Sequence, residues 1–424
     1  MKRNPPKQAS SPQAPGSYRQ EVARCVKCGA CRAVCPAFLH AREESLSPRG
    51  RMALVQAVLD GRLPVSKIYE DRLATCAACL ACESVCPNSV PVTTIIQRAK
   101  EQATAESGMG VIKRALSGVV MHPALFRAAA WLAPVALHYS RISDCGLRIA
   151  DFGVRNEKPK TRDSKGTVAF FPGCAIEHFQ PEIKSAAINV LHALGFDVVI
   201  PEGLQCCGRP LLSLGDRKAA EELAARNASV FAGLDVDAIV TACASCGLTF
   251  KREYPKLLRP GVKHPFVLDI HEFLSVPLAG AALDPVQKTI TWHDPCHLGR
   301  GQGLSKTARD ILRRIPGLTL AEMRNADRCC GFGGVMRITH RELSDGIAED
   351  KITSIIASGA SLVATGCPGC RMQITDALRR AGSDIGVVHT VQVLEASLQS
   401  ADCAMRIAEL EMTGPCVKGP GSRI

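Results

Sequence analysis

The sequence predicts an α+β multidomain fold: a mainly helical N-terminal domain followed by two tandem α/β modules related by pseudo-two-fold symmetry. Three observations predict it. Two cysteine runs of identical spacing fall within the first hundred residues, short apolar strands alternate with amphipathic helices after residue 166, and a five-cysteine pattern occurs twice at nearly equal offset. A chain of 424 residues has room for about three domains of roughly 150 residues each.

In chain order, residues 1–17 are rich in Pro, Ser and Gln without periodicity, and are expected to form a disordered arm. Residues 18–105 carry both cysteine runs, with a helix expected over 49–60 between them. Residues 106–166 are a helical connector and linker. The apolar stretch 116–137 is broken by His122, Pro123, Arg127 and Pro134, so it predicts a buried or interdomain helical pair and not a membrane span. The charged run RNEKPKTRDSKG then marks the domain boundary. Residues 167–284 form the first module, with strands expected at 167–171, 196–200 and 238–242 and helices at 181–194 and 216–234. Residues 285–400 form the second, with strands at 289–293 and 361–365 and helices at 304–315, 340–358 and 371–381. Residues 401–424 are a C-terminal tail.

A formal charge of +12 is compatible with an anionic partner, but metal-bound thiolates lower it, and 4% aromatic residues argue against nucleic-acid binding by base stacking. Twenty-one cysteines in a long chain that opens without an apolar signal core predict a reducing compartment and metal binding. The expected location is cytoplasmic, with peripheral attachment to the inner face of a membrane left open.

Cys25, Cys28, Cys31, Cys35 and Pro36 spell C-x2-C-x2-C-x3-C-P, and so do Cys76, Cys79, Cys82, Cys86 and Pro87. Three cysteines at this spacing wrap one [4Fe–4S] cluster, and the fourth, carried off by the proline, reaches the other. Cys25, Cys28, Cys31 and Cys86 are therefore assigned to one cluster, and Cys76, Cys79, Cys82 and Cys35 to the second. Zinc needs only four thiolates per ion and does not account for the matched prolines. The region thus reads as a helical ferredoxin-type domain with two [4Fe–4S] clusters.

Cys174, Cys206–Cys207–Gly208, Cys243 and Cys246 recur as Cys296, Cys329–Cys330–Gly331, Cys367 and Cys370. The offset is 122 residues at the first cysteine (174 to 296), 123 at the pair (206 to 329) and 124 at the last two (243 to 367). On the strand reading, Cys174, Cys243, Cys296 and Cys367 lie just beyond strand carboxyl ends, where open α/β sheets bind ligands. Two cofactor sites in one shared cleft follow.

From Cys25 to about Leu398 the chain resembles the cysteine-rich "CCG" proteins joined to a two-cluster ferredoxin domain. It looks like the iron–sulphur subunits of glycolate oxidase and D-lactate dehydrogenase, with heterodisulphide reductase subunits as distant relatives. The resemblance implies an electron-transfer subunit of a 2-hydroxy-acid dehydrogenase, inactive alone. It implies an FAD-binding partner subunit and a membrane quinone or other acceptor, and the chain itself carries no recognisable flavin or nicotinamide fingerprint, so no flavin or NAD is expected in it. From the heterodisulphide reductases it implies a non-cubane [4Fe–4S] cluster on each five-cysteine set. The competing reading is a catalytic subunit that reduces a disulphide at those clusters.

Weaker signals remain. His293 and His297 flank Cys296 and are read as cluster tuners, as nitrogen donors, or as turn and cap residues with Asp294. Gly299, Gly301 and Gly303 lack the dinucleotide spacing and are ascribed to the loop of Cys296. Arg209, Arg300, Arg328, Arg337 and Arg371 stand near cluster cysteines and read either as charge balance, anion or partner sites or as solvated surface. Cys145, Cys403 and Cys416 receive no role.

Overall fold

The computed structural model describes residues 15–136 and 164–398, with side chains over 18–130 and 164–398. Helix Pro15–Ala23 begins inside the segment expected to be an arm. The N-terminal domain continues with Pro36–Ala41, Pro48–Leu59, Lys67–Ala74 and Val92–Ser107. Pro48–Leu59 is fixed by its start: the Ser47 hydroxyl accepts from the Gly50 N–H at 2.9 Å, and Pro48 presets the first turn. Its Met52 and Val55 meet Tyr69, Leu73, Ile95, Ile96 and Ala99 in one apolar core.

The connector is a helical pair, Val111–Met121 and Pro123–Ala136, with Pro123 opening the second helix. It bridges domains: Lys113 pairs with Glu70 at 2.6 Å, and the Ser117 hydroxyl donates to Asp216 at 2.5 Å. Val111 and Ile112 stand exposed. No helix among the described residues is long and apolar enough to cross a membrane.

Each module is a four-stranded parallel sheet. The first comprises β1 (Thr167–Phe170), β2 (Asp197–Val199), β3 (Ala238–Thr241) and β4 (Val267–Asp269) in the order β2-β1-β3-β4. The second comprises β5 (Thr289–His293), β6 (Thr319–Leu320), β7 (Leu362–Thr365) and β8 (Gly386–His389) in the order β6-β5-β7-β8. Helices on both faces bury the central strands, so Val168, Ala169 and Phe170 and all of β7 are buried. Strands β4, β6 and β8 go beyond the sequence reading. In each parallel sheet the winding order switches sides between β1 and β3, or between β5 and β7, which opens a crevice at their carboxyl ends.

One apolar core runs through both modules. The seam is also polar: Arg371 donates to the Val387 carbonyl at 3.0 Å, Gln180 at 2.8 Å and Glu182 at 2.5 Å. Gln180 in turn donates to the Pro368 carbonyl at 2.9 Å. Gly301 lets two helices close on each other across this seam, since a Cβ there would lie 2.8 Å from Leu248.

Candidate iron–sulphur centres

In the N-terminal domain, backbone reversals place the thiols. Lys27 (φ 56°) and Gly29 (φ 90°) flank Cys28, and Ala78 (φ 51°) and Leu80 (φ 62°) flank Cys79. Three of these four carry a side chain, and each such left-handed residue costs on the order of 1–3 kcal/mol, which only a surrounding constraint sustains. The same conformations at the same positions curl both C-x2-C-x2-C segments alike. Cys25, Cys28, Cys31 and Cys86 line one cavity, with Cys82 at its wall. Burial, then neighbouring Cys79 and Cys76, pushes the Cys82 thiol up, and burial does the same to Cys35, which also faces those two. The fourth cysteine of each run therefore stands with the other run's first three.

In the modules the thiols form a line. Cys174 lies 3.5 Å from Cys206. Hydrogen-bonding contacts continue from Cys206 to Cys207, Cys246 and Cys243. The second module repeats it as Cys296, Cys329, Cys330, Cys370 and Cys367. In both, the second cysteine of the pair accepts from two neighbouring thiols, which drives Cys207 and Cys330 well down while Cys206 and Cys370 are driven well up. Gly208 (φ 87°) and Gly331 (φ 90°) make the same turn after each pair. Cys243 touches Cys367 across the seam, and Cys329 touches Cys79 of the N-terminal domain. Ten module thiols and the second N-terminal set are thus contiguous. Converging soft donors of this kind fit iron–sulphur groups, whose positive metal draws the thiolate out of a buried thiol.

Cations stand against these thiols. Arg51 is fully buried, held by the Arg72 carbonyl and Thr75 at 2.8 Å each, and its charge acts on Cys35. Lys100, beside Cys76, is pushed down to about 8 by burial. Lys351, beside Cys330, is likewise pushed down to about 8 and donates to the Asn325 and Ala326 carbonyls at 2.6 and 3.1 Å. In the first module the corresponding helix position is Asn227, which accepts from the Gln205 N–H at 2.9 Å and donates to the Cys206 carbonyl at 3.2 Å. Sequence reasoning missed all four. Lys351 leaves a trace, because it falls in the apolar stripe Ile347, Ala348, Ile352, Ile355 of helix Arg341–Ile356.

The flanking residues separate by role. His297 joins three parts of the chain: its Nε2–H donates to the Ala78 carbonyl at 3.2 Å, and its Nδ1 accepts from the Ser245 hydroxyl at 2.9 Å. Burial pushes it down to about 4, so it is neutral. Asp294 is paired with Arg309 at 2.9 Å. Gly299 and Gly301 lie inside helix Cys296–Gln302, with Gly303 as its cap, and not in a loop. Arg300 reaches the Cys79 carbonyl at 3.4 Å. Arg328 pairs with Asp350, and Arg337 with Asp345 and Asp376. Arg209 faces Glu253 at 3.9 Å. Cys145, Cys403 and Cys416 lie outside the described residues.

Comparison with known proteins agrees with this geometry. A 4Fe-4S dicluster domain matches residues 21–90, and a cysteine-rich CCG domain matches 168–251 and 290–375. The chain is 30% identical to a probable glycolate oxidase iron-sulfur subunit of Bacillus subtilis, over 90% of this chain and 94% of that protein. It is 30% identical to one subunit of the fumarate reductase (CoM/CoB) of Methanothermobacter marburgensis, over 88% of this chain and 71% of that one. It is also 26% identical to one subunit of the dihydromethanophenazine:CoB–CoM heterodisulfide reductase of Methanosarcina acetivorans, over 89% and 94%. A crystal structure of a hypothetical protein from Helicobacter pylori shares the fold, with a TM-score of 0.55 at 10% identity over 94% of this chain and 76% of that one. The chain belongs to the family of oxidoreductase iron–sulphur subunits that join a 4Fe-4S dicluster domain to tandem cysteine-rich CCG domains, alongside the glycolate oxidase iron–sulphur subunits.

Proposed function

We propose that this chain is the electron-transfer subunit of a flavin-dependent 2-hydroxy-acid dehydrogenase complex. A partner FAD subunit oxidises glycolate to glyoxylate, or D-lactate to pyruvate, and this chain passes the electrons towards a membrane acceptor such as a quinone. The observation that supports it most is the line of thiols from Cys174 through Cys243 and Cys367 to Cys329 and Cys79. Iron–sulphur groups held there supply one-electron carriers. Cys25, Cys28, Cys31 and Cys86 hold one [4Fe–4S] cluster, and Cys35, Cys76, Cys79 and Cys82 the other. The ten module cysteines hold two further centres of the non-cubane type about a pseudo-two-fold axis, a reading that the matching strand orders support. Eight of those ten thiols are buried, with Cys174 and Cys296 part-exposed, which favours carriers over an open site for a disulphide substrate.

Anaerobically purified chain is expected to contain iron and acid-labile sulphide for at least two [4Fe–4S] clusters. It should show no glycolate or lactate oxidation with a dye acceptor until the FAD subunit is added. Turnover of either acid by the isolated chain overturns the assignment.

A further inference from the structure

The two modules present different groups to their thiols. His293 closes β5, three residues before Cys296; the residue three before Cys174 is Phe171. The His293 side chain is fully buried, and neither ring nitrogen makes a well-formed hydrogen bond, although the Ala326 carbonyl lies near the ring. Leaving such a polar group dry and unpaired costs about 1–3 kcal/mol. The Ala326 carbonyl beside the ring already accepts from the Asp294 N–H at 3.0 Å and from Lys351 at 3.1 Å. A ring nitrogen, the Cys330 sulphur and the Cys370 sulphur all lie within 4.8 Å of one another. Donors on one tetrahedral metal sit roughly 3.5–4 Å apart, given metal–sulphur and metal–nitrogen bonds of about 2.3 and 2.0 Å, so a small closing movement brings these three onto one ion.

We infer that His293 donates a nitrogen to one iron of the centre in the second module, sharing that iron with Cys330 and Cys370, whereas the centre in the first module has thiolate ligands only. The inference rests on the reading that the module cysteines hold iron–sulphur centres. Phe171 cannot coordinate: its ring packs edge-on against Phe250 at 4.8 Å. A nitrogen ligand pairs one of the two orphan ring nitrogens and accounts for the break in symmetry, and the other, as N–H, has the Ala326 carbonyl near it.

The test uses the full chain, isolated anaerobically with histidine labelled with 15N. Pulsed EPR is recorded on the signal that Cys330→Ala removes. Resolved histidine-nitrogen coupling in that signal, absent from the one that Cys207→Ala removes, is the expected result, and His293→Phe should abolish it while iron and sulphide content stays above that of two cubanes. A second-module iron–sulphur signal without histidine coupling overturns the inference and leaves the electron-transfer reading standing. Zinc in the modules without sulphide overturns both. The labelled wild-type measurement decides the matter even if His293→Phe fails to fold.

Discussion

The first and second cysteine-rich modules have the same strand order and the same thiol sequence, but different surroundings. At matching helix positions the first places neutral Asn227 and the second cationic Lys351, and at the strand end Phe171 stands against His293. The neighbours differ too. The second module meets the N-terminal domain thiol to thiol, through Cys329 and Cys79, while the first meets it through Ser213, whose carbonyl accepts from Lys100 at 3.3 Å. The sheet therefore fixes where thiols converge, and residues one layer out set the charge and hydrogen bonding that tune a centre. Duplication preserved the former and let the latter diverge.

The most severe way to break this comparison is to remove one centre at a time. Cys207→Ala and Cys330→Ala are each expected to eliminate the EPR signal of their own module, leave the N-terminal cubane signals intact and, on the proposed function, stop electron delivery from an FAD partner subunit to an acceptor. If either substitution erased both module signals, the two sites would be one.

Next in size is the seam. Arg371→Ala strips hydrogen bonds from Val387, Gln180 and Glu182 and leaves Glu182 unpaired. A loss of about 2–4 kcal/mol in stability is expected, typical of cutting hydrogen bonds to a partly buried charge. Scanning calorimetry should show the modules still melting together, since one apolar core spans them. Separate transitions in the wild-type protein would contradict that shared core.

Much of the fold is legible in the sequence. Strands β1, β2, β3, β5 and β7 and helices such as Pro181–Ala193 and Arg341–Ile356 follow from apolar runs and 3.6-residue periodicity. Strands β4, β6 and β8 do not: β4 and β8 run without a break into helices Ile270–Leu274 and Thr390–Leu398, so their apolar residues read as part of one run, and the two residues Thr319–Leu320 of β6 carry too little pattern. The cysteines announce themselves by spacing, and Cys86 lines the same cavity as Cys25, Cys28 and Cys31. Arg51, Lys100, Asn227 and Lys351 do not, because a polar residue in sequence looks solvated until the fold shows what lies over it. The glycines after Cys296 read as a loop for a similar reason. Gly301 exists to admit Leu248 from the other module, and that contact is 53 residues away in sequence (301 minus 248).

The smallest expected effect is the most discriminating. Lys351 brings a positive charge to Cys330, Cys329 and Cys370, whereas Asn227 brings none to Cys206 and Cys207. Adding an electron to a centre is easier beside a cation, so the second module should have the higher reduction potential of the two. Lys351→Met removes that charge at similar volume and should lower the potential of the second-module centre by roughly 50–100 mV, the energy of a unit charge at a separation on the order of 10 Å and an effective dielectric of about 20. Lys351→Met also frees the Asn325 and Ala326 carbonyls, so Lys351→Arg, which keeps the charge, serves as the control and should stay within about a third of that shift. Asn227→Lys should raise the first-module potential in the opposite sense. Redox titration followed by EPR reads all three variants. Equal potentials in the two wild-type modules, or no shift with Lys351→Met, would show that the outer residues do not tune the centres and that the asymmetry between the modules is structural only.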